Sequence, residues 1–155
     1  MMTPVKQLYF EDFAPGQKFP GATSTCTLAD FLAFARMTGD AHPIHYDAAY
    51  AAKTRFKKPL AHGLLVAGYS ALGATVLSTM LEESMVAMLE VSFRYRRPVF
   101  ADDTLTSSFE VAEVKRDPGK ESGKVRFTVR LANAAGETVV EGSHAYLIRA
   151  RGAAG

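Results

Sequence analysis

Two hydrophobic rhythms divide this chain, helical before about residue 81 and strand-like after it. Phe31, Phe34, Ala35 and Thr38 recur at helical spacing, so residues 28–38 predict an amphipathic helix. Thr27 or Ser24 is placed to cap its start, and Gly39 to stop it. Asp47 caps a short helix from Ala48 to Lys53. His62 and Gly63 open the longest apolar region, which predicts one helix running to about Leu81. Gly63, Gly68 and Gly73 fall inside it at five-residue spacing. Each costs a helix ~1 kcal/mol against alanine, so three of them predict close backbone approach by something wrapped around that helix.

Beyond Leu81 the period is two. Val91, Phe93 and Tyr95 alternate with Ser92, Arg94 and Arg96. Val125, Phe127, Val129 and Leu131 alternate with Arg126, Thr128 and Arg130. Leu105, Phe109 and Val111 mark another strand, and residues 138–149 a fourth. Asp117-Pro118-Gly119 and Asn133-Ala134-Ala135-Gly136 are the turns. Residues 18–27 predict a first strand despite Pro20 and Gly21, after an irregular packing arm over residues 1–16. The order is therefore strand, helix, loop, long helix, then four strands in a meander. This is an α+β chain: one antiparallel sheet curled around one dominant helix. Residues 1–155 show no linker or repeat and are expected to form a single domain.

Composition narrows the class. Hydrophobic residues make up 48% and charged residues 22%, values of a globular chain rather than a disordered one. The net charge of +2 lacks the basic excess of a nucleic-acid binder. No apolar run reaches the ~18 residues of a spanning helix, so no membrane partner is expected. The single cysteine, Cys26, can form neither an intrachain disulfide nor a cysteine-based zinc site, and reads as a small buried residue. The expected setting is reduced and cytoplasmic.

Candidate chemistry gathers in one stretch: Asp40, His42, His45, Asp47 and, past a basic loop, His62. A histidine titrates near neutrality and exchanges protons, and a nearby carboxylate does the opposite job. Pro43 stiffens the loop between Asp40 and His45. Gly63, at a helix start, offers a free N–H where a developing oxyanion can sit. The same residues also fit a plainer role, with Asp40 and Asp47 as helix-terminal caps and the histidines as satisfied loop residues.

Gly39-Asp40-Ala41-His42-Pro43-Ile44-His45 resembles the Gly-Asp-x-Asn-Pro-x-His signature of MaoC-like dehydratases, which include (R)-specific enoyl-CoA hydratases. Phe10-Glu11-Asp12-Phe13, Arg55-Phe56-Lys57-Lys58-Pro59-Leu60-Ala61-His62-Gly63 and Arg97-Pro98-Val99-Phe100 resemble further blocks of that family, in order. The resemblance implies the hotdog fold, a sheet wrapped around a long central helix, with subunits paired edge to edge as a homodimer or larger homo-oligomer. It implies that Asp40 and His45 are the catalytic pair, adding water across a trans-2-enoyl thioester. One takes a proton from water, the other delivers one to the α-carbon, and the product is (R)-3-hydroxyacyl-CoA. Gly63 would hold the thioester oxygen. His42 stands where the family carries asparagine, and with His62 is expected to support the loop. An altered pH profile is the expected consequence. Some relatives place a serine in the central helix near the pair; here Ala71 aligns best, with Ser70 beside it.

Arg55, Lys57 and Lys58, or Arg94, Arg96 and Arg97, are candidates for the phosphates of coenzyme A; acyl carrier protein is the other possible thioester carrier. His144, in the last strand, is expected to have no chemical role. Asp40, His42, His45 and His62 also offer metal ligands, but the loop does not enforce a shared centre, and neither metal nor cofactor is expected. The competing activities are hotdog thioester hydrolysis and non-catalytic acyl-thioester binding.

Overall fold

The computed structural model describes residues 5–153; the first four positions of the expected arm lie outside them. The rest of the arm is a packing segment, with Leu8, Phe10 and Phe13 buried in the core. Strand β1 (Lys18–Thr25) leads into helix α1 (Leu28–Thr38). Thr27 accepts from the Asp30 N–H while the Asp30 carboxylate accepts from the Thr27 N–H, a reciprocal cap. Gly39 ends α1 at φ +81°, in the left-handed region that glycine enters without cost. Helix α2 (Ala48–Ala52) starts from Asp47, whose side chain accepts from the Tyr50 N–H.

The sheet holds five antiparallel strands: β1, β2 (Met85–Tyr95), β3 (Thr104–Arg116), β4 (Ser122–Ala132) and β5 (Thr138–Arg149). Their spatial order is β1-β3-β4-β5-β2, which corrects the expected four-strand meander. Only β3, β4 and β5 meander. The segment between β1 and β2 carries the chain to the opposite edge, and β2 pairs with β5. Local periodicity marks strands but not which neighbour they take.

The expected single long helix is also corrected. Its span is broken into α3 (Gly63–Gly68), a 3₁₀ turn (Leu72–Ala74) and α4 (Val76–Met80). Thr75 explains the last break, since its side chain accepts from the Ser78 N–H and starts a new helix. A side chain at Gly68 or Gly73 would meet nothing within 4 Å, so close approach does not account for these glycines. They loosen the helix instead, each at the entropic cost named above. Close approach occurs in the sheet: a Cβ on Gly142 of β5 would lie 1.7 Å from the Ser92 carbonyl oxygen of β2. The broken segment still covers the sheet. Leu72, Leu77 and Leu81 pack on Phe109, Val111, Val125 and Phe127, while Val66 joins Leu105, Leu131, Val139 and Val140. Among the described residues no helix is long and apolar enough to cross a membrane.

His144 is a buried structural histidine. One ring nitrogen meets Ser70 Oγ at 3.2 Å and the other Tyr146 Oη at 2.8 Å. Burial pushes its pKa down to about 4, so the folded chain holds it neutral. Below the ordinary histidine pKa of ~6.5 the unfolded chain binds the extra proton, so stability is full above that pH and falls toward pH 4. Between pH 7 and pH 5 the loss should be on the order of 1–2 kcal/mol. Urea unfolding at both pH values checks this, and His144→Gln should remove most of the difference.

Candidate active site

The stop at Gly39 turns the chain out of α1 and places Asp40 at the start of the loop. The Asp40 N–H donates to Thr38 Oγ1 at 3.2 Å. Pro43 then opens a 3₁₀ turn through His45. His42 caps that turn, its Nδ1 accepting from the Ile44 N–H at 3.2 Å. An asparagine oxygen would do the same work, so the departure at this position preserves the loop. The His42 ring lies 5.5 Å from that of Tyr50 and 6.3 Å from that of His45.

His45 is half-buried, and its Nδ1 lies 2.6 Å from the Leu60 carbonyl oxygen. A carbonyl only accepts, so Nδ1 carries the proton and Nε2 keeps a free lone pair. Its pKa is lowered, first by burial and then by the neighbouring His62 and His42 rings; the Leu60 carbonyl and Asp40 oppose this. His45 is therefore a neutral base at pH 7.

His62 is fully buried and stacks on His45, with ring centroids 3.7 Å apart and planes inclined by 22°. Its Nε2 donates to the Asp40 main-chain oxygen at 2.9 Å. One polar atom from each of Asp40, His45 and His62 lies within 4.8 Å of the others, so three of the four possible metal ligands do converge, contrary to expectation. Convergence is not coordination, however. An ion must lie in the plane of each imidazole, ~2.0–2.1 Å from its nitrogen, and two stacked, nearly parallel planes cannot share such a point.

Gly63 follows His62 and is exposed, its N–H left over at the first position of α3. With only six residues, α3 adds little dipole, so what this position offers is the N–H itself. Tyr95, at the end of β2, donates its hydroxyl to the Gly63 carbonyl at 2.8 Å. A cavity of about 310 Å³ opens here, with Gly63, Leu60, Val66 and Tyr95 in its wall and Arg55, Arg96 and Arg97 around it. Arg96 and Arg97 pair with Glu141 and Glu137, whereas Arg55 has no ion pair among the described residues. Lys57 and Lys58 do not line it; Lys58 lies over the Phe100 ring at 4.3 Å. Ser70 is buried against His144 and does not reach Asp40, and Ala71 is exposed.

Asp40, His45 and His62 thus come together, and Gly63 follows His62 in the chain. The support of Tyr95 and of the Leu60 carbonyl was missed. Tyr95 carried no signal beyond its place at a strand end, and a main-chain acceptor carries none at all.

The "MaoC like domain" family matches residues 12–135. An (R)-specific enoyl-CoA hydratase of Rhodospirillum rubrum is 33% identical over 144 residues, which is 93% of this chain and 94% of that one. Among solved structures, a monoamine oxidase regulatory protein from Archaeoglobus fulgidus has a TM-score of 0.86 at 36% identity, over 96% of this chain and 99% of that one. R-hydratase PhaJ1 from Pseudomonas aeruginosa has a TM-score of 0.71 at 32% identity, over 95% and 89%. A double hotdog protein from Mycobacterium tuberculosis shares the fold, with a TM-score of 0.78. From the Gly-Asp-x-x-Pro-x-His loop to the sheet that carries it, this chain belongs to the MaoC-like domain family.

Proposed function

We propose that the chain reversibly hydrates trans-2-enoyl-CoA to (R)-3-hydroxyacyl-CoA. The observation that carries this is His45 beside the Asp40 carboxylate, its Nδ1 on the Leu60 carbonyl and its Nε2 without a partner among the described residues. In this reading His45 takes a proton from water as the water oxygen bonds to C3 of the enoyl group. Asp40 accepts a hydrogen bond from the hydrogen that stays on the water oxygen and steadies the imidazolium. The proton then passes to C2 on the same face, so one water supplies both new bonds. Charge gathers meanwhile on the thioester oxygen, which the Gly63 N–H holds. Arg55, at the cavity and without an ion pair among the described residues, would meet the phosphates of coenzyme A. The reaction needs water and an acyl thioester but no metal, and we place it in the cytoplasm. Crotonyl-CoA, supplied in chelating buffer, should lose its conjugated absorbance and yield the (R)-alcohol. Release of free thiol instead would make the chain a thioesterase; binding without turnover would make it an acyl-thioester-binding subunit.

The same reading includes a homodimer through β2. This is an edge strand of 11 residues, with Val86, Met88, Leu89, Val91 and Tyr95 all exposed. The other edge, β1, is guarded by Pro20 and a register shift. Val91 lies opposite buried His144, hence on the helix-covered face, yet is 52% exposed. A second copy covers what the broken helix does not reach, and through Tyr95 this edge adjoins Gly63. Sedimentation should give a dimer or a multiple of it, and Val91→Lys a monomer; a monomeric parent chain would refute the pairing.

A further inference from the structure

We propose that His62 is a positioning residue that holds both members of the Asp40/His45 pair, one through its ring nitrogen and the other through its ring face. The inference rests on the hydratase reading and adds to it a residue that touches neither water nor substrate. His62 is 2% exposed. Its Nε2–H fixes the Asp40 main chain at 2.9 Å, and its face lies on His45 at 3.7 Å. Phe34 and Phe31 pack around it, with ring centroids at 4.9 and 6.4 Å, so the imidazole cannot swing away. A loop residue and a loop histidine five positions apart are thereby locked to the start of α3, which also carries Gly63.

The nitrogen that is not used carries the argument further. His62 Nδ1 is buried with no hydrogen-bond partner among the described residues. A buried polar atom left unpaired costs stability, and a phenylalanine at this position would avoid that cost. A chain that merely needed a filler between Phe31, Phe34 and His45 would gain by losing the nitrogens. The orphan is explained if the opposite nitrogen is needed, and its contact is with Asp40. The stack has an electrostatic side as well. The groups facing His45 are His62 from the start of α3, and Asp40 and His42 from its own loop, with the Leu60 carbonyl on Nδ1. Burial lowers the His45 pKa most, and His62, stacked at 3.7 Å, adds to it.

Two substitutions separate the contacts. His62→Phe keeps a ring on His45 and removes the donor to Asp40. We expect kcat to fall ~10-fold or more with KM within ~3-fold, because a small misplacement of a reacting group costs rate rather than binding. His62→Gln keeps an N–H for Asp40 and removes the ring. The acid limb of kcat/KM should then move to higher pH, and the His45 imidazole titration followed by NMR should move with it. Native melting temperatures together with unchanged kcat in His62→Phe and an unmoved His45 titration in His62→Gln would overturn the inference. The titration is read without substrate, so it decides the role of His62 even if the parent chain hydrates nothing, an outcome that would remove the hydratase reading instead.

Discussion

Asp40→Asn and His45→Asn should each lower kcat for crotonyl-CoA hydration by ~10²–10⁴-fold, the range for a lost general acid or base. Both changes spare the loop. The structural contacts of Asp40 are main-chain ones, its N–H to Thr38 and its carbonyl from His62, and asparagine keeps them. In His45→Asn the amide can still donate where Nδ1 donates to Leu60, while the free Nε2 disappears. Melting temperature should therefore change little. The two residues act on one water, so their effects should not add: the double variant should be about as slow as the worse single one. Additive losses would mean two independent tasks and would sink the one-water scheme. The pH dependence has a fixed sign. His45 must be neutral to accept the proton, and its pKa is lowered by burial, so activity should persist below the usual histidine range and fall only under it. Retention of most activity in either variant would show that the residue changed is not part of the catalytic pair.

How much of this was legible in the sequence depended on range. Features set by a few neighbouring residues were readable: α1 over residues 28–38, its Gly39 stop, the Asp47 cap and the turns at Gly119 and Gly136. Each follows from a local rule, a cap or a positive φ. The strand order was not readable, because alternation marks a buried face and says nothing of the neighbour. The helix after Gly63 misled for a related reason. An apolar run with period near 3.6 looks continuous, yet Thr75 restarts the hydrogen-bond ladder and the glycines let it break. The site divides in the same way. Asp40 and His45 were marked by spacing and by family resemblance. That His62 would lie flat on His45 required a contact across 17 residues, and the Leu60 acceptor required the backbone itself. Asp40 and Gly63 are both exposed in the single chain, so any cover over them would have to come from the proposed β2 pairing.

Gly63→Pro should lower kcat by ~10²–10³-fold while leaving the fold intact, and this tests the oxyanion donor more cleanly than bulk could. Gly63 is the first residue of α3, the helical position proline prefers, because its missing N–H has no partner within the helix. The preceding residue is already suitable: His62 sits at φ −61° and ψ 137°, the extended geometry a following proline demands. The added Cβ meets only ordinary contact, since it would lie 3.4 Å from the Tyr95 ring. Gly63→Ala is the control, for it adds the same Cβ and keeps the N–H. If the donor holds the thioester oxygen, proline should be slower than alanine by about the worth of one oxyanion hydrogen bond, ~3–4 kcal/mol in barrier. The loss should fall on kcat, because charge on that oxygen develops in the transition state rather than in bound substrate. Equal rates for the proline and alanine variants would show that the thioester oxygen is held elsewhere. A loss confined to KM would show that Gly63 shapes the cavity but does not stabilise the charge.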